Sequence, residues 1–174
     1  MIQRRKFIQS SVATAVLGPL ASIGAHAQAL EQVKILYGFP PGSAGDICAR
    51  RVGDKLGGSA YTKNNAVIDS RPGAGGRIAL EGLKTAPADG SVIAMTPFSA
   101  LSLYPHIYSK LSYDPFKEFT AVGTSSMIHH GLAVGPLVPA TVKTVKDFLA
   151  WAKANPKDAS YGSPAAGSTP HFIG

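Results

Sequence analysis

The sequence predicts an α/β fold built on a parallel sheet with helices on both faces. Two observations carry this: β-rich runs alternate with helix-like segments, and loops rich in glycine, proline and serine follow the strands. Taken in order, Val33-Lys34-Ile35-Leu36-Tyr37 is a short β-rich run ended by Pro40-Pro41-Gly42. Asp46 to Leu56 reads as a helix with Asp46 as its N-cap and Gly57-Gly58 as its stop. Its apolar stripe is Ile47, Cys48, Val52 and Leu56, while Arg50, Arg51, Asp54 and Lys55 face water. Ala66-Val67-Ile68 is a second strand, followed by the turn Arg71 to Gly76 and a helix over Ile78 to Thr85. After the turn Pro87-Ala88-Asp89-Gly90, the apolar run Ser91 to Met95 predicts a strand buried on both faces. Pro97 to Pro115 reads as irregular and aromatic, and Phe119 to Thr124 and Leu132 to Val134 as further strands. Thr144 to Ala154 is a helix with Val145, Phe148, Leu149 and Ala152 on one face, and Ser160-Tyr161-Gly162 begins another strand.

Ahead of the fold stands a segment of different character. Residues 1–27 read as an export signal: Arg4, Arg5 and Lys6, then a mostly apolar stretch from Val12 to Ile23, then the small-x-small sequence Ala25-His26-Ala27. The apolar stretch is broken by Gly18-Pro19 and falls short of the about 20 residues a membrane span needs. Cleavage is expected after Ala27, with Ala29 as the weaker register. The run Gln3-Arg4-Arg5-Lys6-Phe7-Ile8 resembles a twin-arginine motif, although ordinary Sec signals also begin with paired basic residues. An amphipathic first helix is the competing reading of the segment.

The 174-residue chain holds 17 Lys+Arg against 10 Asp+Glu, a net charge of +7. Removing the signal takes three basic residues, so 14 basic against 10 acidic leaves +4. Spread without a cluster, that charge argues against nucleic-acid binding and is compatible with attracting small anions. With one cysteine, Cys48, no intrachain disulfide is possible, and its helical setting predicts burial.

In parallel sheets ligands bind beyond the carboxyl ends of the strands, where helix N-termini present N–H groups. The glycines and hydroxyls of this sequence fall there: Phe39 to Asp46, Arg71 to Gly76, Thr96-Pro97-Phe98-Ser99 and Gly162 to Ser168. Such loops suit a small carboxylate, since glycine permits close backbone approach and serine and threonine add neutral donors. Nucleotide motifs are missing: Gly73-Ala74-Gly75-Gly76-Arg77-Ile78 lacks the third glycine of a dinucleotide fingerprint, and no loop carries a P-loop Lys-Ser/Thr. Gly162-Ser163-Pro164-Ala165-Ala166 is not a nucleophile elbow. His106, His129, His130 and His171 give no metal spacing, so neither metal nor cofactor is expected.

Five motifs occur in order: Phe39-Pro40-Pro41-Gly42 with Asp46 and Ala49-Arg50; Arg71-Pro72-Gly73-Ala74-Gly75-Gly76; Pro87-Ala88-Asp89-Gly90; Tyr113-Asp114-Pro115; and Tyr161-Gly162-Ser163 with Gly167-Ser168 and His171. Together they resemble the Bordetella-uptake-gene (Bug) family, the extracytoplasmic receptors of tripartite tricarboxylate transporters. The resemblance covers the whole chain. It implies a two-lobed, type II-like periplasmic binding fold that clamps a small carboxylate between lobes, without catalysis, and delivers it to membrane transporter subunits. It nominates Phe39, Pro41, Gly42, Ser43 and Asp46 on the first lobe and Gly162, Ser163, Gly167, Ser168 and His171 on the second; Ser99 joins them from the loop after the third strand. Asp46 fits a position the family keeps acidic, where it caps the helix or meets a ligand amine or a bridging water.

Three departures bear on the ligand pose: Ser43 where glycine is frequent, Ser70 where asparagine is common, and Pro164 where a small residue is usual. Family members run about twice as far. The chain is therefore expected to be a C-terminally truncated monomer of the periplasm: signal at 1–27, a first lobe at 28–124 mostly present, and at 125–174 a crossover and a second lobe only begun. Two other functions are open. One is a periplasmic hydrolase using the 162–171 Gly-Ser loop, which needs a contact between Ser168 and His171; the other is a ligand-sensing module for a signalling partner.

Overall fold

The computed structural model describes residues 28–174. The predicted export segment, with its arginine pair and its cleavage point at Ala27, lies outside the described residues. Strands β1 (Lys34–Tyr37), β2 (Val67–Ser70) and β3 (Val92–Met95) form a parallel sheet in the order β2-β1-β3. Lys34 stands opposite Val67 and Val92, and Tyr37 opposite Ser70 and Met95. Central β1 buries Ile35, Leu36 and Tyr37. β3 is only half-buried, against the expectation of burial on both faces, because among the described residues it has a strand neighbour on one side alone.

The connections are helical, as the alternating pattern predicts. Helix α1 (Ala44–Leu56) joins β1 to β2, and α2 (Arg77–Lys84) joins β2 to β3. Ile68 reaches Gly53 of α1, whereas Leu36 reaches Gly82 of α2. Since Ile35 is paired with Ile68 and successive side chains alternate, the two helices cover opposite faces.

The face that α1 buries is not the predicted one. Asp46, Ala49 and Gly53 face inward, and Ile47 is 48% exposed. Close packing explains this: a Cβ at Gly53 would stand 3.2 Å from the Ala66 carbonyl oxygen, so the helix lies near the sheet on its smallest residues. Cys48 is accordingly half-buried, in a shallow groove with Ile47, Arg51, Met127 and Ile128.

The segment read as irregular contains short helices, α3 (Phe98–Ser102), α4 (Tyr104–Ile107) and α5 (Pro115–Glu118), each too short to show a period. They close a second core on the α2 side, where Leu80, Ala100, Tyr104 and Tyr113 are buried together. Both phenols find acceptors: Tyr104 donates to the Gly75 carbonyl at 3.0 Å and Tyr113 to the Ala100 carbonyl at 2.6 Å. Burial pushes the Tyr113 hydroxyl up to about 12.

The strands predicted at 119–124, 132–134 and 160–162 do not form. Most of residues 120–141 is exposed and no ladder partner lies alongside, so β-propensity alone does not make a strand there. Helix α6 (Val145–Ala154) is present, held at its start by a capping box between Thr144 and Asp147, but no residue in it is buried. A last short helix, α7 (Thr169–Ile173), follows the Gly-Ser loop. Among the described residues no helix is long and apolar enough to cross a membrane.

The start of α1 also departs from the prediction. Ser43, not Asp46, is the N-cap, its hydroxyl accepting from the Asp46 N–H at 3.4 Å. Asp46 sits in the first turn and folds back: its Oδ2 accepts from the Gly42 N–H at 2.8 Å and from Arg50 Nε at 3.0 Å. The Gly42 N–H, more than the Arg50 guanidinium, holds this carboxyl below its ordinary value of 3.8, while burial opposes the shift.

Two outcomes follow for stability. Gly38→Ala would place a Cβ 2.5 Å from Gly76 Cα, so it should cost about 2 kcal/mol or more in chemical denaturation. Gly123→Ala, with nothing within 4 Å, should stay within about 0.5 kcal/mol. Asp46→Asn should be less stable than the parent at neutral pH. Because the folded-state pKa is lowered, the difference should persist above pH 3.8 and close as pH falls through the folded value, checked by denaturation midpoints between pH 7 and 2.5.

Candidate functional site

In a sheet of order β2-β1-β3 the chain leaves β1 in one direction and returns over it to β3, so the crevice opens beyond the carboxyl ends of β1 and β3. Phe39 follows β1 and Thr96 follows β3, and the two flank Gly76. A Cβ at Gly76 would lie 3.2 Å from the Phe39 ring and 3.9 Å from Thr96 Oγ1. The turn leading to Gly76 is built from left-handed backbone: φ is 132° at Gly73, 49° at Ala74, 65° at Gly75 and 91° at Gly76. This is the physical need behind Gly73-Ala74-Gly75-Gly76, with Ala74 the residue that bears strain.

Of the residues nominated in the loop after β1, Phe39 is buried and its ring centroid lies 5.8 Å from that of Tyr37. Pro41 and Gly42 are exposed at the loop tip, and the Gly42 N–H that would meet an anion already serves Asp46. Ser43 Oγ lies 3.1 Å from the Tyr37 hydroxyl. Among the described residues, the first-turn N–H groups of Ala44 and Gly45 have no acceptor. Asp46 is 2% exposed, and its Oδ1 has no hydrogen-bond partner.

Three hydroxyls share that condition: Ser70 at the end of β2, Thr96, and Ser99 in α3. Ser99 was expected at the site, and it is 2% exposed. It lies near the phenol of Tyr104 and partly offsets the upward shift that burial gives that hydroxyl. Thr96 and Gly75 fall inside loops expected to meet a ligand and Ser70 is a departure from the family pattern, but the sequence nominates none of them individually as a site residue, nor Tyr104. Thr96 and Ser70 had one readable signal, their place at strand ends, but their importance depends on strand order.

The 162–168 loop packs against Gly75 and Tyr108. The Ala166 carbonyl oxygen lies 3.4 Å from where a Cβ of Gly75 would stand, and a Cβ at Gly167 would meet the Tyr108 hydroxyl at 2.1 Å. Within the loop the polar groups serve one another. Ser168 Oγ donates to the Ala165 carbonyl at 2.7 Å, Ser163 Oγ to the same oxygen at 3.4 Å, and the Gly167 N–H to His171 Nδ1 at 3.2 Å. Gly162 is exposed with nothing within 4 Å of its Cβ position. The Ser168–His171 contact that hydrolysis would need is replaced by these bonds. His171 also stacks on Tyr161, at 26° and 6.4 Å.

Cations near the crevice are engaged. Arg50 pairs with Asp46 at 3.0 Å and Arg71 with Asp69 at 2.8 Å. Arg77 lies 4.1 Å over the Tyr108 ring and donates to the Ala74 carbonyl. The arrangement offers an anion neutral donors rather than a free cation. No group of three or more His, Cys, Asp or Glu positioned to hold a metal ion occurs among the described residues.

Residues 49–173 match the family described as "Tripartite tricarboxylate transporter family receptor". The chain is 32% identical to "UPF0065 protein in gbd 5'region" of Cupriavidus necator, over 98% of this chain and 52% of the relative. It is 28% identical to "Protein BugT" of Bordetella pertussis, over 91% of this chain and 48% of the relative. The chain thus spans about half the length of the curated relatives it matches. With the family matched across most of the sequence, and the parallel α/β sheet in place, the chain belongs to the tripartite tricarboxylate transporter receptor family, the Bug receptors.

Proposed function

We propose that this protein is an extracytoplasmic solute receptor, which captures a small carboxylate between two lobes and delivers it to the membrane subunits of a tripartite tricarboxylate transporter. The observation that carries this reading is the convergence of the Gly-Ser loop on the strand-end crevice: the Ala166 carbonyl stands against Gly75, and Phe39 and Thr96 flank the adjoining Gly76. Family membership supports the transport role, and the signal-like residues 1–27 support action in the periplasm. On this reading residues 28–124 form the first lobe, and 125–174 the crossover and the beginning of the second. The ligand carboxylate is held by N–H groups and hydroxyls of the loops at 39–46, 96–99 and 162–171.

The Gly167 N–H and the Ser168 hydroxyl would exchange their internal partners for ligand oxygens when the lobes close. Such an exchange is inexpensive, because one neutral hydrogen bond replaces another.

A ligand that binds only the folded state raises stability by RT ln(1 + [L]/Kd). Succinate, glutamate or benzoate, at a hundredfold excess over its Kd, should raise the melting temperature by roughly 5–10 °C, with no turnover of the ligand. A melting temperature unmoved by all three at 10 mM would remove the carboxylate assignment for this chain.

A further inference from the structure

We propose that Thr96, with Ser99, forms a hydroxyl clamp for a ligand carboxylate at the crevice between β1 and β3, a contact additional to those of the glycine loops. The proposal rests on the carboxylate-receptor reading given above. Thr96 Oγ1 and Ser99 Oγ are both closed off from solvent; Thr96 Oγ1 has no hydrogen-bond partner among the described residues, whereas Ser99 Oγ faces the phenol oxygen of Tyr104. Polar groups so placed are rare in folded proteins, and a ligand site is one of the few physical reasons for keeping them. The two residues are three apart, on either side of the start of α3, so both come from one rigid turn.

The surroundings supply a second reason. Gly76 separates Thr96 from Phe39, and a side chain there would approach the Phe39 ring to 3.2 Å and Thr96 Oγ1 to 3.9 Å. Glycine therefore lets the Phe39 ring and the Thr96 hydroxyl stand close together on the two sides of residue 76. An aromatic face beside a hydroxyl suits the carbon skeleton of a small acid with an oxygen toward Thr96. Tyr104 limits what Ser99 can do: its own proton is committed to the Gly75 carbonyl at 3.0 Å, so it can receive but not supply a hydrogen bond. The Thr96 hydroxyl has no such neighbour and is the principal donor. With Arg50, Arg71 and Arg77 engaged elsewhere, recognition at Thr96 is by neutral O–H groups.

Thr96→Val removes the hydroxyl and keeps the shape. In the unliganded protein this replaces an unpartnered polar group by an apolar one, so the melting temperature should hold or rise. Calorimetric titration with whichever of succinate, glutamate or benzoate binds the parent most tightly should show a loss of roughly tenfold to a hundredfold, the range of a hydrogen bond to a charged group. Thr96→Ser should restore most of it, and Ser99→Ala should lose less than Thr96→Val. A Thr96→Val protein that binds as tightly as the parent overturns the clamp and leaves the receptor reading standing. A parent that binds none of the three acids overturns both. A fall in the unliganded melting temperature, with affinity unchanged, would mark Thr96 as structural only.

Discussion

Where β1 ends, a Cβ on Gly38 would stand 2.5 Å from the Cα of Gly76, so the two backbones are in contact with no side chain between them. This approach fixes much else. It draws the start of α2 against the end of β1, and the Arg71 N–H bonds the Tyr37 carbonyl at 2.7 Å on the way. It obliges the 73–76 turn to run through left-handed backbone, which turns the Gly75 carbonyl toward Tyr104 and anchors α4. Phe39 can then lie over Gly76, with Thr96 on the other side. Three loops separated in sequence share one small volume because two glycines permit it. Any larger residue at either place would separate the loops before it disturbed the sheet.

The parts legible in the sequence were those with a local cause. β1, α1, α2 and α6 were readable within one or two residues at most ends, because periodicity and turn residues act over short spans. The glycine turn at 71–76 was readable for the same reason. The failures have a common origin in tertiary context. Ile47, Cys48, Val52 and Leu56 form a plausible stripe, yet α1 lies on Asp46, Ala49 and Gly53, because nearness to Ala66 selects small residues over apolar ones. The runs at 119–124 and 132–134 have strand composition, but a strand exists only with a neighbour to receive its hydrogen bonds. The site shows the same division. The loops holding Phe39, Thr96 and Ser99 were readable from their place after strands, whereas bringing Phe39 and Thr96 to the two sides of Gly76 depends on a strand order that no local pattern encodes.

Charge at the site follows from Asp46. The N-terminus of a 13-residue helix favours negative charge, and here the Asp46 carboxylate stands in its first turn while the Ala44 and Gly45 N–H groups stay without an acceptor among the described residues. Asp46 takes the Gly42 N–H and the Arg50 guanidinium, and these partners extend its ionised range below the ordinary carboxylate value. On the carboxylate-receptor reading, an incoming carboxylate would meet a loop whose Gly42 N–H is already used and a negative group just behind it. That would favour the β3 side of the crevice, where Thr96 and Ser99 carry no charge. Neutral donors hold an anion less strongly than a buried arginine would, and they impose no unpaired charge when the ligand leaves. On the proposed reading, a receptor that releases its cargo would gain from that balance, with Arg50, Arg71 and Arg77 already engaged within the fold.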